Sequence, residues 1–181
     1  MVETSIIVPS FNSEKTIEDT LVSIENQSYK NWECLIIDDH SSDFSVNIIR
    51  KVCKRNNKFK LVILKDNGGV SRARNIGIEM SKGRFICFLD SDDLWEIDFL
   101  KKSLNLLIQS KCKLTYSSYI RFLDSNKKFF FRKYPPKLIS LQTILTNNHI
   151  PMLTAVLDKK LIKNISFVNE RFEDYIFWLQ I

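Results

Sequence analysis

Phe85-Ile86-Cys87-Phe88-Leu89-Asp90-Ser91-Asp92-Asp93 carries the decisive pattern of this chain: an unbroken apolar run followed at once by a cluster of carboxylates. A short apolar run bounded by polar residues reads as a strand buried on both faces, the kind found in parallel sheets. Open sheets of that kind bind ligands beyond the carboxyl ends of their strands. Asp90 and Asp92, separated by one residue, suit Mg²⁺ or Mn²⁺ while leaving coordination positions for diphosphate oxygens. A lone Asp-x-Asp arises by chance in many proteins, so its place at a buried strand end is what gives it weight.

Working outward, the same alternation recurs. Ser5–Pro9, Trp32–Ile37, Phe59–Leu64 and Arg84–Leu89 read as buried strands. Amphipathic helices are expected over Glu14–Asn26 (with Ser13 as N-cap), Phe44–Arg55, Ser71–Ser81 and Glu96–Gln109. Strands alternating with helices mean βαβ units, hence an α/β fold with a mostly parallel central sheet flanked by helices. After Lys111 the pattern changes. Leu114–Leu123 and Lys127–Tyr134 read as two antiparallel strands joined by a turn at Asp124-Ser125-Asn126. Pro135-Pro136 interrupts the chain, a short helix is expected over Leu138–Thr146, and Leu153–Asp158 reads as a further strand.

Each parallel strand delivers polar or acidic residues to the same rim: Pro9-Ser10-Phe11-Asn12, Asp38-Asp39-His40, Asp66-Asn67-Gly68-Gly69 and Asp90-Ser91-Asp92-Asp93. One acidic strand end alone is ordinarily a helix cap or a solvated turn. Carboxylates converging from two strands repel one another and become tolerable around a divalent cation. The Gly68-Gly69 loop opens a helix carrying Arg72 and Arg74, which suits an anion through free N–H groups and guanidinium donors. A plain turn with solvated arginines is the alternative at that point.

The bulk numbers bound the class. The chain has 181 residues, 44% of them hydrophobic and 27% charged, which suits one ordinary globular domain. No apolar run approaches the ~20 residues of a membrane span. The N-terminus runs straight into a strand without a leader sequence, making cytoplasmic residence the default expectation. Cys34, Cys53, Cys87 and Cys112 form no CxxC pair and His40 and His149 are isolated. Reduced, buried thiols are therefore expected, and a zinc site is not. Net charge +6 is compatible with nucleic acid, anionic lipid or a phosphorylated substrate and chooses none of them.

Four blocks bear a family likeness: Ile7-Val8-Pro9-Ser10-Phe11-Asn12, Ile36-Ile37-Asp38-Asp39-His40-Ser41-Ser42-Asp43, Asn67-Gly68-Gly69-Val70-Ser71-Arg72-Ala73-Arg74-Asn75, and Gly83-Arg84-Phe85 through Asp93. In order and spacing they resemble the successive motifs of family 2 glycosyltransferases. The resemblance implies a GT-A fold and a single domain, with 1–110 as the nucleotide-sugar half and 111–181 as the acceptor-side half. It also implies position-by-position roles. Asp39 resembles the carboxylate that accepts a uracil N–H, and Pro9, Phe11 and Asn12 would line the nucleoside pocket. Asn67 and Arg72 would lie beside base and diphosphate, with Gly68 and Ser91 in the same donor-binding set. Asp90 would contact the ribose or sugar, and Asp92 would bind the metal, Mn²⁺ or Mg²⁺, with Asp90 beside it. His40 departs from the small residue usual at its position. Arg171-Phe172-Glu173-Asp174-Tyr175-Ile176-Phe177-Trp178-Leu179 resembles the family's late acidic motif, which makes Asp174 the candidate general base with Glu173 adjacent. The bland alternative is an acidic helix start favoured by the macrodipole. Family members usually continue through at least one further helix, so a shortened acceptor side is expected.

The resulting expectation is an inverting, metal-assisted transfer from a nucleotide diphosphate sugar, with a UDP-sugar preferred, to a hydroxyl of a glycan or lipid-linked glycan. A shortened, non-catalytic nucleotide-sugar binder is the main alternative. A sugar nucleotidyltransferase would need a glycine-rich basic loop after the first strand, where Pro-Ser-Phe-Asn stands. A phosphoacceptor signalling module would need its acid pair after the first strand, whereas Asp38-Asp39 follows the second. Nucleic acid is not an expected partner. The basic-aromatic stretch Lys127–Tyr134 suits a peripheral contact at the inner face of the cell membrane. A strand with flanking charges is the preferred reading of it.

Overall fold

The computed structural model of the chain describes residues 2–123 and 128–181. The first part alternates as expected: β1 (Thr4–Ser10), α1 (Ile17–Glu25), β2 (Trp32–Asp38), α2 (Ser45–Arg55), β3 (Phe59–Ile63), α3 (Val70–Met80), β4 (Phe85–Phe88) and α4 (Phe99–Gln109). There follow β5 (Leu114–Thr115), β6 (Tyr119–Leu123), β7 (Lys128–Lys133), α5 (Leu141–Thr146), β8 (Val156–Asp158) and α6 (Glu173–Leu179). The central sheet has six strands in the order β3-β2-β1-β4-β8-β5. β1 pairs in parallel with β2 and β4, and β2 with β3, while β8 lies antiparallel between β4 and β5. β6 and β7 form a separate antiparallel pair. This is the mostly parallel α/β sheet with a small antiparallel element that the sequence predicted.

The strand order reverses at β1, since β2 and β3 extend to one side and β4 lies on the other. The crevice beyond the ends of β1 and β4 is therefore the ligand-binding switch point of such a sheet. Alternating side chains split the core. Ile6, Val8, Ile36 and Cys87 pack with Ile17, Leu21, Ile49 and Leu104 from α1, α2 and α4. On the opposite face Ile7, Ile86 and Phe88 pack with Phe167, Phe177 and Trp178, the latter two from α6. α3 approaches β1 so closely that a Cβ on Gly77 would stand 2.4 Å from Ile7 Cγ2.

Pro9 sits in a central strand, a position that ordinarily excludes proline. Pairing explains it. The Ile7 carbonyl accepts from Leu89 N and the Ser10 carbonyl from Asp39 N, so residues in register with Ile7 face β4. β4 is paired with β1 only as far as Ile7, and Pro9 faces the space beyond its end.

Several boundaries differ from expectation. α1 begins at Ile17, and Ser13 contributes its carbonyl to Thr16 N and Ile17 N while its hydroxyl meets Ser10 Oγ at 2.9 Å. The Ser13 side chain is thus no cap, because the strand-end loop already engages it. The expected strand Leu114–Leu123 is two strands: β5 joins the central sheet through β8, and β6 departs to pair with β7. Strand structure near Leu153 is confined to Val156–Asp158, since 152–154 form a 3-10 turn. The expected turn Asp124-Ser125-Asn126, and Lys127, lie outside the described residues. Cys34 and Cys87 are buried, which pushes their thiols far up, but Cys53 and Cys112 are only half-buried; all four are free.

Candidate active site

The four strand-end loops meet at one rim, and hydrogen bonds tie them in sequence. Asn12 adopts a left-handed backbone (φ 47°), its N–H donates to Ser41 Oγ at 3.0 Å, and its Oδ1 accepts Ser42 N at 2.9 Å. The β1 loop is thereby stitched to the β2 loop. Phe11 beside it is half exposed, a free aromatic face at the rim. Asp38 is fully buried and accepts the N–H and hydroxyl of Ser41.

Asp39, only 3% exposed, accepts Gly68 N at 2.9 Å on one oxygen and Gly69 N at 2.7 Å on the other. Asn67 Nδ2 donates to the Asp39 carbonyl at 3.2 Å. The carboxylate therefore holds the Gly-Gly loop. Gly69 opens α3 at φ 86°, a left-handed conformation that side chains other than glycine's strain. His40 is also left-handed (φ 65°), a conformation that histidine tolerates better than β-branched residues.

The two arginines of this loop go separate ways. Arg72 is exposed and forks onto Asp66 at 2.9 and 3.2 Å, so its guanidinium is engaged away from the strand-end acids. Arg74 is buried, with a side chain only 4% exposed, and bridges Asp90 Oδ1 (2.8 Å) and Glu173 Oε1 (3.0 Å). Its guanidinium also lies 5.3 Å from the centre of the Phe167 ring, and its Nε has no partner. Asn75, one residue on, donates to the Phe167 carbonyl and accepts its N–H, at 2.9 and 2.8 Å. The start of α3 thus connects the acids after β4 with the segment that leads into α6.

Asp90, Ser91, Asp92 and Asp93 form a tight turn in which the Asp90 carbonyl accepts Asp93 N at 3.1 Å. Asp92 is exposed, and Ser91 is half-buried. Burial, together with the charges of Asp90 and Asp92, pushes the Asp93 carboxyl up to about 7. Among the described residues no three Asp, Glu, His or Cys side chains form a group able to hold a metal by themselves. One oxygen of Asp90 is moreover taken by Arg74.

Across the crevice, Glu173 and Asp174 occupy the first turn of α6, entered from a left-handed Phe172 (φ 64°). Asn148 Nδ2 donates to Asp174 Oδ2 at 2.8 Å. Tyr175 Oη reaches the Ile144 carbonyl and Trp178 Nε1 the Ile150 carbonyl, which seats α6 on residues 144–150. Of the residues singled out from sequence, Asp39, Asn67 and Gly68 are in direct contact with one another. Asp90 and Glu173 are joined only through Arg74. Arg74, expected with Arg72 to serve an anion, is instead committed to two carboxylates, and Asn148 had no role in the expectation from sequence. Arg74 did leave a trace: it falls with Ser71, Ala73 and Gly77 on the buried side of α3, an unusual place for an arginine. Asn148 leaves none, because its contact spans 26 positions through an irregular segment.

Within the stretch Lys127–Tyr134, residues Lys128–Lys133 form β7 and pair with β6, in keeping with the strand reading. Among the described residues no helix is long and apolar enough to cross a membrane.

A doubly wound sheet with acids at its switch point and an acidic helix start opposite defines a GT-A glycosyltransferase rim. The chain belongs to glycosyltransferase family 2, whose description, Glycosyl transferase family 2, matches residues 5–164. An uncharacterized glycosyltransferase of Haemophilus influenzae is 37% identical over 97% of this chain and 70% of its own length. The Escherichia coli UDP-Glc:alpha-D-GlcNAc-diphosphoundecaprenol beta-1,3-glucosyltransferase WfgD is 36% identical over 98% of this chain and 68% of its own length. Among solved structures, S. aureus TarS 1-349 in complex with UDP superposes with TM-score 0.80 at 26% identity, covering 97% of this chain. The chain spans 53% of that structure's length.

Proposed function

We propose that this chain transfers a sugar, with inversion, from a nucleotide diphosphate sugar to a hydroxyl of a lipid-linked glycan, and that the donor is a UDP-sugar. The observation that carries the proposal is the Arg74 bridge between Asp90 and Glu173, which brings the donor-side acids and the late acidic pair to one crevice. The UDP and UDP-GlcNAc complexes of TarS support the donor, and the acceptor named in WfgD supports a lipid-linked glycan. We assign the protein to the cytoplasm, peripheral at the inner face of the membrane where such an acceptor would sit.

In this reading Phe11 offers its exposed ring to the base, and Asp39 keeps lone pairs for a base N–H beyond those given to Gly68 and Gly69. Pro9, Asn12 and Asn67 shape the pocket floor. Ser91 and Asp90 meet the ribose or sugar. Arg72 would have to leave Asp66 to reach a diphosphate, an exchange that two exposed groups make at small cost. The acid turn fits a divalent cation whose shell the substrate completes: Asp92 is exposed, Asp93 is held up by burial and then by its neighbours' charges, and Mg²⁺-type sites commonly use one or two carboxylates plus phosphates. Mn²⁺ or Mg²⁺ on Asp92, with Asp90 adjacent, would offset charge on the leaving diphosphate.

Asp174 takes the proton of the attacking hydroxyl. The acceptor oxygen bonds to the anomeric carbon from the face opposite the nucleotide, and the carbon–oxygen bond to the diphosphate breaks with its electron pair. Asn148 holds Asp174 Oδ2, fixing the carboxylate's orientation for that transfer. Calorimetric titration of UDP with Mn²⁺ and with EDTA, on the native chain and on Asp92→Ala, tests the donor site. Metal-dependent binding that weakens in the variant is expected; no binding of UDP under either condition overturns the reading.

A further inference from the structure

Two cavities lie end to end along the acceptor side of the crevice. One, of about 510 Å³, is lined by Asp92, Asp93, Tyr119 and Pro151 among others. The second, of about 400 Å³, is lined by Tyr119, Lys133, Tyr134, Asn148, His149 and Pro151, together with Pro135 and Pro136. Tyr119 and Pro151 line both, so the two cavities adjoin. The chemistry changes from end to end. Two carboxylates and the Arg121 guanidinium line the first, whereas the second has no carboxylate among its described lining residues and presents an ammonium, an imidazole and a carboxamide. The carboxamide is that of Asn148, which also holds Asp174 at 2.8 Å.

This polarity orients an acceptor. Its reacting hydroxyl has to lie at Asp174, and therefore at the Asn148 side of the second cavity. The rest of the acceptor then extends past Lys133 and His149. A neutral glycan would leave that ammonium without a counter-charge, whereas phosphate oxygens would receive charge-assisted hydrogen bonds from both groups. Tyr119, Tyr134 and the prolines around them supply flat apolar surface for a sugar face or the first carbons of a lipid.

We infer that the second cavity is the acceptor's diphosphate subsite, with Lys133 and His149 binding the anionic linker between the accepting sugar and its lipid. The inference rests on the transferase reading above and adds to it the recognition of acceptor charge. It also makes the donor and acceptor diphosphates occupants of adjoining cavities, the first beside Asp92 and Asp93 and the second beside Lys133 and His149.

The test is calorimetric titration of the full chain with decyl N-acetylglucosaminyl diphosphate and with decyl N-acetylglucosaminide, each with and without saturating UDP. The diphosphate probe is expected to bind about tenfold more tightly, as two charge-assisted contacts in a partly exposed cavity allow. That preference should persist under UDP and disappear in the Lys133→Gln/His149→Gln variant. A Lys51→Gln/Lys54→Gln control on α2, carrying a similar change of charge elsewhere, should keep it. Equal binding of the two probes overturns the inference, as does an equal loss in the control, which would mean general attraction only. Abolition by UDP also overturns it, because the cavity would then be taking the donor's diphosphate. If UDP fails to bind while the preference and its loss in the variant stand, the donor reading falls and this subsite survives.

Discussion

Replacing Arg74 by Met keeps the approximate volume of the side chain but removes the guanidinium that joins Asp90 to Glu173. Breaking a buried ion pair by deleting one partner costs ~3–5 kcal/mol, because a charge is left uncompensated. Here the arginine is buried but its partners are not: the Asp90 and Glu173 side chains are 36% and 24% exposed, so water can reach both. That discounts the loss to about 2 kcal/mol, or ~4–8 °C in melting temperature for a chain of this size. Arg74→Lys keeps the charge but can satisfy only one of two divergent carboxylates, so about half that loss is expected. Urea denaturation gives the stabilities. A double-mutant cycle between Arg74→Met and Glu173→Gln isolates the bridge, with about 1 kcal/mol of coupling expected for residues in direct contact. Transfer should suffer more than UDP affinity, because the bridge sets the position of α6 against the donor-side acids. A coupling indistinguishable from zero, or a parallel fall in transfer and UDP affinity, refutes the reasoning.

Asp39→Asn leaves a single oxygen for the two glycine N–H groups and sets an amide N–H₂ against one of them, so it should cost about 1–3 kcal/mol; an unchanged urea midpoint counts against the clamp. Gly77→Ala drives a methyl into Ile7 and should destabilise by about 1–2 kcal/mol even after its gain in helix propensity; a raised melting temperature would show that α3 can retreat from β1. Asp93 is raised in the folded chain, so its contribution is full below the unfolded carboxylate value and is lost as pH rises through about 7. In EDTA, Asp93→Asn should therefore gain on the native chain between about pH 4 and pH 7; parallel melting curves against pH would refute it.

Strands, helices and the acids at their ends were legible from the sequence because each rests on local periodicity. Ile6-Ile7-Val8 and Phe85-Ile86-Cys87-Phe88 can satisfy their apolar faces only inside a covered sheet, and acids directly after such runs emerge at its edge. The second half was less legible. Leu114 to Leu123 is one apolar-polar run in sequence, yet β8, arriving some forty positions later, captures only Leu114 and Thr115, with Leu114 opposite Leu157. The side chain of Ser13 has all the properties of a helix cap, and a neighbouring serine took it first.

What the sequence by itself determined is the four parallel strands, the rim and the identity of the residues delivered to it, since backbone periodicity and strand ends are properties of short segments. Which of those residues touch was decided by the tertiary structure alone. Arg72 and Arg74 are two positions apart on one helix, and roughly a 200° turn between them sends one to solvent and Asp66 and the other inward to Asp90 and Glu173. The bridge to Glu173 spans 99 positions and the clamp of Asn148 on Asp174 spans 26. Contacts of that range depend on how α3, α6 and the loop before β8 pack, and no local pattern of residues encodes that packing.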